Sequence, residues 1–386
     1  MRVTDVKTFI VHPGVGLYRK NLLFARVETD DGLHGWGECY TQADRDRPIE
    51  GFVQELKRYL IGRSPFNVKH FTQTMYLDFL GKRGSVDFFS ALSGLEIALW
   101  DILGKALGQP IYNLLGGASR DRIRVYANGW AHGDDRPDEV AARASALVAR
   151  GFTAMKWDPF PGPWRAHISA ADERAVVESI GAVRAAVGPN VDLLIECHRR
   201  LAPAPAVRLA RQIEGFGPFW YEEPVSARNL DALAEVRART SRPVVTGEEL
   251  YTKTEFRPVF EKRAADIINP DVCNTGGILE LREIAAMAEP YGVAVSPHNY
   301  NSTTIGLAAT MQAAAAMPNF LITEYFVNFE SLAGELAETP FQVENGYVRL
   351  PTSPGLGIEL REEALAAHPG QTFALRNIRQ PADEGP

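Results

Sequence analysis

Acidic and histidine residues recur through the second half of the chain at nearly regular intervals, each at the end of an apolar, strand-like run. From Glu196 onward, successive members are separated by 26, 26, 23, 27 and 26 residues. The members are Glu196, Glu222, Glu248, Asp271, His298 and Glu324. Each interval fits one strand and one helix, and parallel β/α barrels carry their chemistry where strands end. We therefore expect these side chains to meet at one face of a barrel, joined by Lys156 and Asp158 from an earlier strand.

The first three acids of this series would place three carboxylates around one point. Such a cluster repels itself strongly when it is partly buried and not neutralised. Oxygen-only ligands that leave room for water favour Mg²⁺, so Glu196, Glu222 and Glu248 predict a site for one Mg²⁺ per subunit. The alternative is that nearby basic side chains neutralise some of these acids: Lys156, Arg199 or Arg200.

A carboxylate and an imidazole end the next two strands, as Asp271 and His298. A carboxylate beside an imidazole fixes its tautomer and raises its basicity, which predicts a general base. A second histidine, His198, lies two residues beyond Glu196, and strand alternation would turn both toward the same side. His198 is therefore a further candidate for the site, with an extra metal ligand as the alternative role.

The elements that must position these residues are strands that alternate with helices. From Ile123 onward, eight β-rich segments, from IRVYANG to FLITEYF, alternate with helix-like segments such as DEVAARASALVARG. This alternation predicts an α/β fold, a (β/α)8-type barrel of the TIM kind, over residues 123–345. The position of its last helix is unclear from the sequence.

The two ends of the chain differ in pattern from the barrel. Residues 1–122 contain two β-rich runs around an Asp-Asp-Gly turn and then helices, which predicts an α+β capping domain. Residues 346–386 begin within an Asn-Gly turn between alternating runs, which indicates a terminal hairpin. We expect this C-terminal segment to pack back on the capping domain and to complete it.

Composition argues against several classes of protein. The 386 residues include 41 Lys and Arg against 48 Asp and Glu, a net charge of −7, which gives no basic surface for nucleic acid or anionic membranes. No apolar stretch reaches the roughly 18 residues that indicate a membrane span. The three cysteines are too few for a disulfide scaffold. We expect a cytoplasmic protein.

Taken together, the motifs IECH, WYEEP, TGEEL, NPDVCNTGG and SPHN resemble those of the enolase superfamily, in its mandelate racemase/muconate lactonizing enzyme-like branch. The resemblance extends to GLHGWGE and ALWDILGKALGQPIYNLLGG near the N-terminus. It implies that the three glutamates are Mg²⁺ ligands and that Asp271 and His298 form a catalytic dyad. It also implies that Glu324 hydrogen-bonds the substrate carboxylate or an enediolate.

The sequence departs from this branch on the second barrel strand. Racemases of the branch carry Lys-x-Lys there, whereas this chain has Lys156-Trp157-Asp158. Racemisation needs a base on each face of the substrate, so the missing lysine argues against it, although Asp158 could exchange protons or contact substrate. His198, in a Glu-x-His pattern, resembles the acid that assists departure of hydroxide in galactonate-type sugar-acid dehydratases.

The resemblance therefore implies a Mg²⁺-dependent dehydratase that converts an aldonate or aldarate into a 2-keto-3-deoxy acid. Lys156 would help to neutralise the enediolate, while Tyr18 and Arg19 of the capping loop would bind substrate. A racemase, epimerase or cycloisomerase is the alternative, and a catalytically idle binding protein is disfavoured by the complete set of acids and the dyad. The resemblance also implies a homo-oligomer.

Overall fold

The computed structural model of the protein describes residues 1–14, 20–80, 85–131, 135–160, 166–374 and 381. The N-terminal part contains an antiparallel three-stranded sheet in the order β1–β2–β3, followed by helices. Its elements are β1 (Val3–Val11), β2 (Leu22–Thr29), β3 (His34–Cys39), α1 (Asp46–Leu60), α2 (Val68–Leu80), α3 (Val86–Leu107) and α4 (Ile111–Leu114). This arrangement agrees with the α+β pattern that the sequence predicts.

Helix α3 lies so close to β3 that the strand has no room for side chains at two positions. A Cβ atom at Gly37 would lie 1.8 Å from the carbonyl oxygen of Gly94. One at Gly35 would lie 2.1 Å from the carbonyl oxygen of Ala98. Gly35 and Gly37 of the GLHGWGE motif are therefore explained by close helix–sheet packing.

Eight parallel strands form the predicted barrel. They are β4 (Arg122–Asn128), β5 (Ala154–Trp157), β6 (Asp192–Glu196), β7 (Trp220–Glu222), β8 (Val244–Thr246), β9 (Ile267–Ile268), β10 (Ala294–Val295) and β11 (Thr323–Phe326). Neighbours in sequence are neighbours in the sheet from β4 to β10. The ring closes because β11 pairs in parallel with β4 and the backbone of Leu321 donates to Val295 of β10. The (β/α)8 fold is confirmed.

A helix follows each barrel strand, including the last. These helices are α5 (Pro137–Ala149), α6 (Ala170–Val187), α7 (Pro203–Ile213), α8 (Leu230–Arg239), α9 (Thr252–Glu261), α10 (Ile278–Ala288), α11 (Ile305–Ala315) and α12 (Glu330–Leu336). Helix α12, which the sequence left unclear, has only seven residues. Within the described ranges, none of the helices combines the length and apolar character required to cross a lipid bilayer.

The C-terminal segment begins with the predicted hairpin, β12 (Val343–Glu344) and β13 (Tyr347–Arg349), around Asn345 and Gly346 at positive φ. Strand β13 pairs with residues 122–124 of β4, so the hairpin lies against the barrel. The expectation that the C-terminal segment packs on the N-terminal domain is therefore wrong for the hairpin itself. The physical reason is that β11 begins its pairing with β4 only at Val125, which leaves the preceding β4 backbone open to another strand.

Beyond the hairpin, the chain does return to the N-terminal part. The backbone of Leu356 donates to Asp101 of α3, and that of Gly370 donates to Ile10 of β1. Helix α13 (Glu362–Ala367) lies between these two contacts in sequence. The division of the chain at residues 122 and 345 stays a prediction.

One buried carboxylate ties the N-terminal helices to the barrel. Glu96 of α3 accepts hydrogen bonds from the backbone of Ile278 (2.7 Å) and Leu279 (3.0 Å), at the start of α10. It also accepts one from the indole of Trp100 at 2.8 Å. The carboxylate therefore satisfies backbone donors that the first turn of a helix cannot pair internally.

We expect Glu96→Ala to destabilise the protein by about 3 kcal/mol, because three buried donors lose their acceptor. Urea unfolding should show a lower midpoint with an unchanged slope. Glu96→Gln keeps a neutral acceptor of the same length and should lose less stability. Equal midpoints for Glu96→Ala and the wild type would contradict the proposed tie.

Candidate active site

Three carboxylates meet at the rim of the barrel where the strands end. Glu196 ends β6, Glu222 ends β7 and Glu248 follows β8 by two residues. These strands pair in parallel, with Glu196 opposite Glu222, so the side chains project from adjacent positions. One oxygen atom of each carboxylate lies within 4.8 Å of the others. The structure therefore brings together the three acids that the spacing singles out.

Lys156, on β5, is buried against this cluster. Its ammonium nitrogen lies 2.8 Å from Glu222 and 3.4 Å from Glu196. It also lies 3.3 Å from Glu324. Burial opposes the charged ammonium, but the neighbouring acids, Glu222 first, raise the pKa of Lys156 well above its usual value. The pairing of acids with lysine that the sequence left open is thus present.

Arg199 supplies a second cation on the other side of the cluster. Its guanidinium lies 2.7 Å from Glu248 and also contacts Glu223. Arg199 lies in the segment after β6, whereas Glu223 follows β7 and Glu248 follows β8. Arg199 therefore links the ends of three successive strands. The positive charge of Arg199 compensates only part of the negative charge of the acidic cluster.

Carboxylates still outnumber permanent cations around this point in the described part of the chain. The acids are Glu196, Glu222, Glu223, Glu248, Asp271 and Glu324, and the permanent cations within salt-bridge distance of them are Lys156 and Arg199. Burial and the nearby Glu196 raise the pKa of Glu222 well above its usual value, as expected for acids that lack enough positive charge. Three convergent oxygen ligands with surplus negative charge fit a hard divalent cation.

The imidazole of His298 lies beside the cluster, in the loop after β10. Its Nδ1 atom is 2.7 Å from Asp271, which in turn accepts from the amide of Asn301 at 2.9 and 3.0 Å. Its Nε2 atom faces Glu248 at 3.2 Å and Glu324 at 3.4 Å. Burial favours the neutral imidazole, but the surrounding carboxylates raise the pKa of His298 to about 9. The predicted carboxylate–imidazole pair is present, with Nε2 directed to the cluster.

His198 is placed by a turn, so the alternation argument used to orient it is wrong. Strand β6 ends at Glu196, and His198 has a φ of 47°. Its backbone N–H donates to Glu196 at 2.7 Å, and its Nδ1 atom lies 2.7 Å from Asp158. Burial lowers the pKa of His198, but Glu196 and Asp158 outweigh it and raise the pKa to about 9.

Both carboxylate oxygen atoms of Asp158 accept hydrogen bonds from the protein. In addition to His198, it accepts a bidentate pair of hydrogen bonds from Arg200 at 2.9 and 2.8 Å and one from the backbone of Phe160 at 2.9 Å. These contacts favour a role in orienting His198 over direct contact with substrate or proton exchange.

The two histidines stand on opposite sides of the barrel mouth. His198 follows β6 and His298 follows β10, and four steps separate these strands in a ring of eight. The three convergent glutamates come from β6, β7 and β8, which lie on one arc between them. A flat substrate bound at the cluster would therefore have one imidazole toward each face.

Glu324, at the end of β11, is fully enclosed by donors. It accepts from the backbone of Asn299 at 2.9 Å and from the amide of Asn128, and it pairs with Lys156. Burial would raise the pKa of Glu324, but Lys156 and His298 lower it below its usual value. The contacts favour an ionised carboxylate that holds its neighbours in place.

Tyr18 and Arg19 lie outside the described residues. Lys20, directly after them, is buried, and its ammonium donates to the carbonyl of Tyr300 at 2.5 Å and lies 3.8 Å from the centre of that ring. Since Tyr300 follows His298 closely, this N-terminal segment touches the loop that carries the imidazole.

Sequence reasoning missed several neutral residues of the site because it considered only acids and histidines at strand ends. Asn128 ends β4 and Asn269 follows β9, so the same strand-end rule includes both. Asn269 donates to Glu222 at 2.8 Å. Asn301, which supports Asp271, lies in a loop that carries no comparable signal in the sequence.

Comparison with known proteins agrees with this architecture. Residues 10–116 match the family model described as the mandelate racemase/muconate lactonizing enzyme N-terminal domain. Residues 139–364 match the one described as enolase C-terminal domain-like. Among solved structures, the mandelate racemase/muconate lactonizing enzyme from Jannaschia sp. CCS1 has a TM-score of 0.90 at 34% identity, covering 98% of this chain and 100% of its own.

Two characterised relatives are similar over most of the chain. The D-galactonate dehydratase of Ralstonia pickettii is 36% identical over 368 residues, covering 94% of this chain and 93% of its own length. The D-gluconate dehydratase of Thermoproteus tenax is 35% identical over 345 residues, covering 89% of this chain and 69% of its own length.

We expect Asp158→Asn to lower the pKa of His198 by about one unit or more, because an adjacent negative charge and its hydrogen bond are lost. The measurement is an NMR titration of the imidazoles in protein treated with a chelator, with His198→Asn used to assign the resonance. Asp138→Asn, at an exposed position, is the matched control. An unchanged pKa in Asp158→Asn would show that Asp158 does not act on this histidine.

Proposed function

The chain belongs to the enolase superfamily, in its mandelate racemase/muconate lactonizing enzyme branch, and we propose that it dehydrates a sugar acid, an aldonate or aldarate, to a 2-keto-3-deoxy acid. One observation carries the proposal. His298 and His198, each paired with a carboxylate, follow strands on opposite sides of the ring whose rim carries the three-glutamate cluster. Such a pair suits an anti elimination of water, in which one group takes a proton and another gives one.

Glu196, Glu222 and Glu248 would hold Mg²⁺ in the proposed enzyme. When bound, this ion supplies Lewis-acid stabilisation of the second negative charge that the substrate carboxylate gains on loss of its α-proton. Lys156 contributes fixed positive charge at the same place, because its ammonium is buried against two of these ligands.

His298 is the proposed base. Its Nε2 atom takes the proton α to the carboxylate, and the electrons of the broken C–H bond move into the carboxylate to give an enediolate. Asp271, at Nδ1, stabilises the imidazolium that results. When Glu248 is committed to a cation, it no longer raises the pKa of His298, so the imidazole is more readily neutral and able to accept a proton.

His198 is the proposed acid. Asp158, hydrogen-bonded at Nδ1 at 2.7 Å, stabilises the protonated form of this imidazole. His198 donates its proton to the β-hydroxyl as the C–O bond breaks, so water leaves, and the resulting enol tautomerises to the 2-keto-3-deoxy acid. Asp158, held by Arg200, orients the ring for this transfer.

The second candidate is an epimerase, favoured by the same placement of two imidazoles on opposite faces. It would need His198 to act as a second base, and the similarity to proteins named D-gluconate and D-galactonate dehydratase favours dehydration instead. The products separate the two functions, since dehydration gives a 2-keto acid and epimerisation retains every hydroxyl group while introducing solvent hydrogen at the α-carbon.

We expect wild-type protein with Mg²⁺ in D2O to convert an aldonate or aldarate into a 2-keto-3-deoxy acid, followed by proton NMR. His298→Asn should abolish both dehydration and exchange of the α-proton. His198→Asn should block dehydration while leaving that exchange measurable, and acid–base groups of this kind are worth about 10²–10⁴-fold in rate.

Two results would contradict these roles. Exchange that persists in His298→Asn and is lost in His198→Asn would make His198 the base. A deuterated epimer in place of a 2-keto acid, from wild-type protein, would support the second candidate.

A further inference from the structure

A cleft of about 270 Å³ opens beside the acidic cluster, between the N-terminal helices and the barrel. It is continuous with the site, since Glu248 and Arg199 line both. Tyr40, another lining residue, has its ring centre 6.1 Å from that of His298. A sugar acid whose α-carbon lies at His298 can therefore extend its remaining carbons into this cleft.

Every guanidinium in the described lining of the cleft is matched by a carboxylate. Arg45 makes two hydrogen bonds to Asp87, at 2.8 and 2.5 Å. Arg199 pairs with Glu223, which is not a proposed metal ligand, and with Glu248 at 2.7 Å. The third pair is Arg228 with Glu249, at 3.7 Å. The cleft thus carries no surplus positive charge with which to receive a second anionic group.

The remaining polar groups of the cleft suit hydroxyls. Asn274 is buried, and its side-chain oxygen has no hydrogen-bond partner within the described residues. Gln42 and Tyr251 add neutral polar groups to the same lining. A carboxylate moved into these surroundings would lose its hydration without gaining a cation, whereas hydroxyls can both donate and accept.

We propose that this cleft takes the neutral, hydroxylated tail of the substrate and that Asp87, by neutralising Arg45, determines the preference for an aldonate over an aldarate. This inference rests on the proposed function. Asp87 acts through charge: with its carboxylate present, Arg45 is satisfied within the protein, and without it the guanidinium is left to bind an anion in the cleft.

Replacing Asp87 leaves the N-cap of its helix in place. Asp87 lies in the first turn of α3, but the residue that caps this helix is Ser85. The side-chain oxygen of Ser85 accepts a hydrogen bond from the backbone N–H of Phe88. The Asp87→Asn variant therefore keeps the cap and the size of the side chain.

The test compares an aldonate with the aldarate of the same configuration, D-galactonate with galactarate or D-gluconate with D-glucarate, whichever pair wild-type protein accepts with Mg²⁺. Wild type should favour the aldonate in kcat/KM. Asp87→Asn should shift the ratio about 10-fold or more toward the aldarate, because a guanidinium becomes free to pair with the terminal carboxylate. The double variant Asp87→Asn/Arg45→Met should not show this shift. The control variant Glu55→Gln, at an exposed ion pair, should have the same ratio as wild type.

The outcomes separate this inference from the function on which it rests. If wild type dehydrates no sugar acid, the proposed function fails. If it dehydrates aldonates but Asp87→Asn leaves the ratio unchanged, or if the double variant keeps the shift, the role of Asp87 is wrong. A wild-type preference for the aldarate would also overturn the inference.

Discussion

Mutual repulsion among buried carboxylates is the constraint on which this site depends. Parallel pairing of β6, β7 and β8 brings Glu196, Glu222 and Glu248 within 4.8 Å of one another, where isolated acids would not stay ionised. Lys156 and Arg199 offset part of this charge. The remainder explains the fit of the donor set to a divalent cation. Together with Glu324, Asp271 and Asp158, it also raises the pKa values of the two histidines.

The N-terminal domain also determines the geometry of the dyad. Buried Glu38, on β3, accepts hydrogen bonds from the backbone of Ser302 and Gly306, both at 2.8 Å. Asn301, in the same loop, supports Asp271, while Lys20 contacts Tyr300. The loop that carries His298 is therefore held from the barrel on one side and from the N-terminal domain on the other, so both parts of the chain contribute to one site.

The sequence predicted those features that follow from periodicity. The alternation of eight β-rich and helix-like segments predicted the barrel. Within it, the interval of about one β/α unit between Glu196, Glu222 and Glu248 predicted the cluster, because parallel strands deliver equivalent positions to one rim. The orientation of His198 could not be obtained in this way, since it depends on a turn at positive φ. The engagement of Asp158 by Arg200 likewise depends on loop geometry.

Contacts between segments that are distant in sequence also could not be predicted. Arg45 and Asp87 lie in separate elements of the N-terminal domain, and no local pattern indicates that they pair. The hairpin β12–β13 was predicted from its Asn-Gly turn, but its partner was not, because the open backbone at the start of β4 becomes visible only when the ring is closed.

The central claim, that surplus carboxylate charge makes this rim a cation site, is tested most directly by thermal unfolding of chelator-treated protein with and without Mg²⁺. Binding to the native state at 100 times the dissociation constant stabilises by about 2.7 kcal/mol, so the wild-type Tm should rise by several degrees. Glu222→Gln should lose most of this rise, and Glu261→Gln, at an exposed ion pair, should keep it. A wild-type Tm that does not respond to Mg²⁺, or an equal rise in Glu222→Gln, would contradict the account.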